Sequence, residues 1–150
     1  METAQALARL ADYFETMTPE SVSRIGDYYA ADARFKDPFN DVRGVPAIGQ
    51  VFHHMFGQVG QPRFIVTDRI GGEGGEGSEG SAVLLWQFHF NARFGLRERQ
   101  QRIQGASHLR FDGAGLVVLH RDYWDAAEEL YGKLPLLGSL MRALARKLAA

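Results

Sequence analysis

From Trp86 to Phe94 every second side chain is apolar, and the residues between them, Gln87, His89, Asn91 and Arg93, are polar. The run extends back to Ala82, with Leu84, Trp86, Phe88, Phe90 and Phe94 on the same face. A period of two is that of a β-strand with one face buried and the other solvated. An aromatic face of that length has to be covered, so the fold needs a second layer packed on one side of a sheet. Gly95 turns the chain, and the next strand, Arg97 to Phe111, starts charged and ends apolar, with Ile103, Gly105, Ser107, Leu109 and Phe111 on one face. Asp112-Gly113-Ala114-Gly115 predicts a hairpin turn. Leu116 to Trp124 then places His120, Asp122 and Trp124 on one face and Leu119, Arg121 and Tyr123 on the other. A fourth strand signal, Arg63 to Ile70, precedes the aromatic strand.

The covering layer comes from the N-terminal third. Thr3 is placed to cap a helix whose Leu7, Leu10, Phe14 and Met17 recur at helical spacing, with Tyr13 beside that stripe. Thr18-Pro19-Glu20 predicts a second helix start, and Val22, Ile25 and Tyr29 its buried face. Asn40 to Gly44 reads as a turn. Pro46 opens a third helix with Ile48, Val51, Phe52, Met55 and Phe56 as its stripe. His53 and His54 are adjacent on that helix and point about 100° apart, so they cannot clasp one metal ion together and are read as surface residues. Helices first and long antiparallel strands after them predict an α+β fold: three N-terminal helices on one face of a strongly bent antiparallel sheet. An aromatic sheet face interrupted by small polar residues predicts a cone around a pocket.

Between helices and strands lies Tyr28 to Phe39, YYAADARFKDPF. Ala33 to Asp37 alternates as a short strand, with Phe35 and Asp37 on one face and Arg34 and Lys36 on the other, and Pro38 ends it. Asp37 has two readings, a turn carboxylate before proline and a general base beside an apolar wall. On residue type the turn reading is preferred.

Composition narrows the classes. A chain of 150 residues with a formal charge of −1 gives no reason to expect nucleic acid, and the Arg/Glu mixture near Arg97 is a solvated sheet end. With no cysteine and no HExxH spacing, neither a thiolate metal site nor a metal or other cofactor is expected. No signal peptide or membrane span is read, and a cytoplasmic protein is the default. The acidic, glycine-rich run GGEGGEGSEGS at 71–81 is expected to be a mobile hairpin loop. The tail from Asp125 reads as helical, broken around Gly132 to Pro135. Its last segment is amphipathic, with Leu137, Leu140, Met141, Leu144 and Leu148 in one stripe and Arg142, Arg146 and Lys147 flanking it. Docking on its own sheet or on a partner subunit is preferred for this helix over a membrane surface.

The motifs YYAADARFKDPF, RGVPAIGQVF, SHLRFDGAGLVV and RDYW, in this order, resemble the nuclear-transport-factor-2-like superfamily and, within it, the ketosteroid isomerase and SnoaL-like group. The resemblance runs from about Leu10 to Trp124. It implies one such domain over 1–150, with a helical extension at about 126–150, and a homodimer packed sheet to sheet. It also implies a small apolar ligand. In the isomerases a pocket aspartate shuttles a proton beside a carbonyl, and Asp37 matches it. Tyr13 matches the tyrosine that donates to the developing oxyanion, and Trp124 the aromatic that closes the pocket. Where those isomerases carry a protonated aspartate, this chain has Ser107, and Phe52 stands for a supporting tyrosine. Losing one oxyanion donor costs on the order of 3 kcal/mol of transition-state stabilisation, so steroid isomerisation is not the activity expected.

Two functional readings remain. One is an isomerase-, cyclase- or dehydratase-type enzyme on an apolar carbonyl or hydroxyl compound, with Asp37 as base and Tyr13 as donor. The face that holds Trp124 offers His120 and Asp122 as a second acid–base pair; alternatively Asp122 pairs with Arg121 or caps the following helix, and His120 is a satisfied wall residue. The other is a binding or accessory protein for a lipid-like ligand. In both, Trp124, Ser107, Phe52, Trp86 and Phe88 line the ligand site.

Overall fold

A computed structural model describes residues 1–71, 80–129 and 135–149. Six strands form one curled sheet in the order β2-β1-β6-β5-β4-β3, where β1 is Tyr29–Lys36, β2 Asp41–Arg43, β3 Gly60–Gly71, β4 Ser81–Phe94, β5 Arg97–Phe111 and β6 Val117–Tyr123. Helices α1 (Thr3–Glu15) and α2 (Val45–Gln58) and a 3-10 helix at Ser21–Asp27 supply the second layer. Leu7, Leu10 and Phe14 of α1 and Ile48 and Phe52 of α2 are buried with Leu84, Trp86, Phe90 and Leu109 of the sheet. The fold is α+β, as the period-two strands and amphipathic helices predict.

Several boundaries differ from the sequence reading. Thr3 lies inside α1, and Glu2 takes the cap position without a side-chain bond. The second helix is 3-10 rather than α and stops at Asp27. Its start is held by reciprocal bonds, Ser21 N to Thr18 Oγ1 at 3.2 Å and Thr18 N to Ser21 Oγ at 2.9 Å. Ser, Val, Ile and Gly within it support only a short, tight turn of helix. Tyr29, read as helical, instead begins β1, because Val117 is its cross-strand neighbour. That β1–β6 pairing is parallel, whereas the other neighbours are antiparallel. A parallel neighbour 88 residues downstream leaves no local signal.

The segment read as a turn at Asn40 to Gly44 contains β2, which pairs Lys36 with Asp41 and Arg34 with Arg43. Arg34 donates to Asp41 from Nε at 2.9 Å and from Nη2 at 2.7 Å, and these bonds hold the Asp41 carboxyl well below the usual carboxylate range. Asp37 is consequently not in the strand but in the loop of the β1–β2 hairpin. Gly44 then takes φ 92°, a left-handed conformation that glycine adopts without strain, and its N–H bonds Ala33 O at 2.8 Å. This geometry turns the chain from β2 into α2.

The expected loop at 71–81 falls mainly on 72–79, outside the described residues, as does the side chain of Phe94. The break expected around Gly132 to Pro135 likewise falls largely outside them. On either side lie α3 (Ala126–Glu129) and α4 (Pro135–Leu148). Among the described residues, no helix is long and apolar enough to cross a membrane.

Candidate functional site

The site is built from the middle of β5, the end of β6 and the start of β1. On β5, Gly105 lies opposite Trp86 of β4. A Cβ at 105 would sit 2.4 Å from Trp86 Cη2 and 2.5 Å from Cζ2, so the missing side chain is what lets the indole lie flat across the strand. Lying there, Trp86 donates from Nε1 to Ser107 Oγ at 2.8 Å. Ser107 in turn donates to Asp122 Oδ1 at 2.5 Å. Residues 107 and 122 are direct cross-strand partners in the β5–β6 ladder, which brings the two side chains together.

His120 sits two residues before Asp122 on the same face of β6. Its Nε2 lies 2.6 Å from Asp122 Oδ1 and 3.2 Å from Ser107 Oγ. Its Nδ1 lies 2.6 Å from the hydroxyl of Tyr29, which is 1 % exposed. No other described residue accepts the Tyr29 proton, so Tyr29 donates to Nδ1. The ring proton is then on Nε2, directed at the Asp122 carboxylate. Phe14, Phe35 and Tyr29 pack around the imidazole, with ring centroids at 5.7, 4.8 and 6.1 Å. The Tyr29 hydroxyl is pushed well above its ordinary pKa by burial, and the Asp122 carboxylate adds to that shift.

Asp122 is the part of this network that reaches open space. Its side chain is 18 % exposed against 3 % for His120. Oδ1 accepts both bonds, and no described residue donates to Oδ2. Asp122 lines two spaces at once. One is an enclosed cavity of about 20 Å³, walled by Phe14, Phe52, Phe64 and Trp86 with Ser107 and His120. On that measure a single water needs on the order of 10–15 Å³, so the interior has room for about one water. The other is an open cleft of about 590 Å³ between the end of β6 and the Asp37 loop, lined by Lys36, Asp37, Arg121 and Trp124 among others.

The remaining residues expected at the site are distributed as follows. Asp37 borders the open cleft and not the enclosed cavity. Its Oδ1 accepts from Phe39 N at 2.7 Å and Asn40 N at 2.6 Å, and the Asn40 amide donates to both oxygens at 3.1 and 3.0 Å. This is a carboxylate closing a turn before proline. Tyr13 donates to Ser21 O at 2.9 Å and stacks on Tyr28 at 4.0 Å; burial pushes its hydroxyl up to about 12. Phe52 and Trp86 are in the cavity wall, whereas Phe88 lies behind it, stacked on Phe64 at 4.6 Å. Trp124 is at the cleft, edge-on to Phe39 at 5.6 Å. His53 and His54 are exposed on α2. No group of three metal-ligating side chains is brought together among the described residues. The sequence reading missed Tyr29 and Phe64. Tyr29 shares parity with Ala33 and Phe35, so extending the β1 alternation back to residue 29 was the available signal.

A curled sheet with helices inside its bend and polar groups near its open end directs the comparison with known proteins. The SnoaL-like domain model matches residues 10–120. The chain belongs to the SnoaL-like domain family. Solved structures agree with the fold. A steroid delta-isomerase from Pseudomonas aeruginosa is 24% identical with a TM-score of 0.57, covering 99% of this chain and 95% of that one. A putative SnoaL-like polyketide cyclase from Shewanella putrefaciens CN-32 is 16% identical with a TM-score of 0.63 over 95% and 96% of the two chains. An epoxide hydrolase of the LEH-like type from M. tuberculosis is 16% identical with a TM-score of 0.59, covering 98% of each. Likeness at these identities shows the fold alone. No curated protein sequence matches the chain.

Proposed function

We propose that this SnoaL-like protein is an acid–base enzyme of the isomerase, cyclase or dehydratase kind, with Asp122 as its general base. Its substrate would be a small, largely apolar compound bearing a carbonyl or hydroxyl group. The observation that carries this reading is the division of labour on one carboxylate. Oδ1 is fixed by His120 and Ser107, while Oδ2 has no described donor and Asp122 borders both the cavity and the cleft. A base must have an oxygen free to take the proton and a support that keeps it aimed. Proton uptake from a carbon beside a carbonyl, or from a hydroxyl, would leave negative charge on the substrate oxygen. His120 and Ser107 would act by positioning, Tyr29 by fixing the His120 tautomer, and Phe52, Trp86 and Trp124 by excluding water.

Asp37 is the weaker candidate for the base, since its acceptor sites are occupied by the turn amides and Asn40. Tyr13 as oxyanion donor would first have to release Ser21 O. Exchange of substrate protons with deuterium, followed by NMR over a panel of apolar ketones and hydroxy compounds, tests the assignment. Asp122→Asn should abolish exchange that Asp37→Asn retains. The reverse pattern would return the role to Asp37.

A binding protein for a lipid-like ligand, without chemistry, is the second reading, and the open cleft of about 590 Å³ is the space that would take the ligand. Native mass spectrometry that finds a co-purified ligand, with no turnover of it, would support that reading. The same measurement reads the sheet-to-sheet homodimer that the polar face at Gln87, His89 and Asn91 suits.

A further inference from the structure

The C-terminal helix is the element that this site does not use. Helix α4 spans Pro135–Leu148, about 21 Å at 1.5 Å per residue. The expectation that it docks on its own sheet is met only in part: Gly138 is buried and Leu137 and Met141 are half-buried, whereas Leu136, Leu140, Leu144 and Leu148 are 88, 52, 45 and 82 % exposed. At 100° per residue these four fall within one arc of about 120°. Arg142 and Arg146 lie on the opposite side, whereas Lys147 falls within the arc in the last turn, where its long stem can carry the ammonium outward. No acidic residue occurs from Pro135 to the end of the chain.

We infer that α4 is a peripheral membrane-binding element that lies in the surface of an anionic bilayer, leucines inward and arginines toward the headgroups. Three features favour lipid over other occupants. A leucine face opposite a cationic face, on a helix too short to span, is what an interfacial helix requires. Pairing α4 with α4 of a second copy through the leucines would leave the arginines facing away with no acidic partner on the helix, and two helices this short bury less than a stable interface needs. The large exposed apolar residues of the body, Met1, Phe39, Ile70, Leu96, Val118 and Tyr123, are spread over the N-terminus and different strands and loops and offer no matching stripe. An anionic bilayer satisfies both faces at once: hydrocarbon takes the leucines and headgroups attract the cations.

Vesicle sedimentation with the full chain tests this. Vesicles mixing phosphatidylcholine and phosphatidylglycerol should pull the protein down with an affinity on the order of a hundredfold above that for phosphatidylcholine alone. Raised salt should weaken that binding. Replacing Leu140 and Leu144 together by Ser should remove it, and Arg142→Gln with Arg146→Gln and Lys147→Gln should erase the preference for anionic lipid. Circular dichroism of each variant establishes that the body remains folded. Absence of binding to anionic vesicles at low salt would overturn the inference. So would equal binding to neutral vesicles, or a leucine variant that still sediments. Vesicle binding absent together with a dimer that dissociates on the leucine substitutions would assign α4 to a second copy instead.

Discussion

Tyr29 and His120 are 91 residues apart in the chain, and the tyrosine hydroxyl stands 2.6 Å from His120 Nδ1. Because β1 and β6 are parallel neighbours, the first residue of one strand reaches under the imidazole of the other. Tyr29→Phe keeps the ring and deletes the donor, leaving a buried ring nitrogen without its partner. Urea denaturation should show a loss of about 1–3 kcal/mol. Nitrogen NMR of the His120 ring should show the Nδ1 resonance moving as its hydrogen bond is lost, a change that loss of packing alone would not produce.

The Asp122 carboxylate is expected to separate activity from stability. Asp122→Asn retains size and hydrogen bonding near Ser107 but cannot take a proton. Any turnover found for this protein should fall by at least about a hundredfold, the usual contribution of a positioned base. The denaturation midpoint should change far less than the rate.

Asp37→Ala should do the opposite. It removes the acceptor for the Phe39 and Asn40 amides in the β1–β2 hairpin. A stability loss of about 1 kcal/mol is expected, the scale of a side-chain cap, with most of the activity of the remaining folded protein preserved. Measured after correction for folded fraction, a rate loss as large as that of Asp122→Asn would contradict the assignment.

Gly105→Ala drives a methyl into the Trp86 ring, which begins 2.4 Å from the position of the new Cβ. The indole must move, and its bond to Ser107 goes with it. Overpacking of this kind costs about 1–3 kcal/mol. Tryptophan fluorescence should shift toward that of a more solvated indole, and activity should drop along with stability because Ser107 loses one of its three partners.

Alkaline pH should weaken the fold through two tyrosines. Tyr13 is raised from 10.0 to about 12 by burial first and by neighbouring Tyr28 second, and Tyr29 is raised well above 10.0 by burial. Below the unfolded value, folded and unfolded chains both hold these protons and stability is unaffected. Above it, the unfolded chain releases protons that the folded chain keeps, so stability falls as pH rises through the interval. Urea midpoints measured from neutral pH to about 11 should decline, and tyrosinate absorbance should show two rings ionising only as the protein unfolds.

The elements with strong periodicity were legible in the order of residues alone. Alternation from Trp86 to Phe94 defined an aromatic strand, the stripes through Phe14 and Phe52 defined the covering helices, and four ordered motifs identified the family. His120 and Asp122 were also legible as one face of β6, with Trp124 just past its end, because face parity is a local property of a strand. What the chain order concealed was long-range pairing. The parallel register of β1 with β6 made Tyr29 a strand residue under His120, and the hairpin with β2 drew Asp37 out of the strand into a turn that binds its carboxylate. Which of two aspartates keeps a free oxygen depends on donors brought from Ser107 and Asn40, so it was decided by tertiary structure, where hydrogen bonds are allotted, and not by residue type.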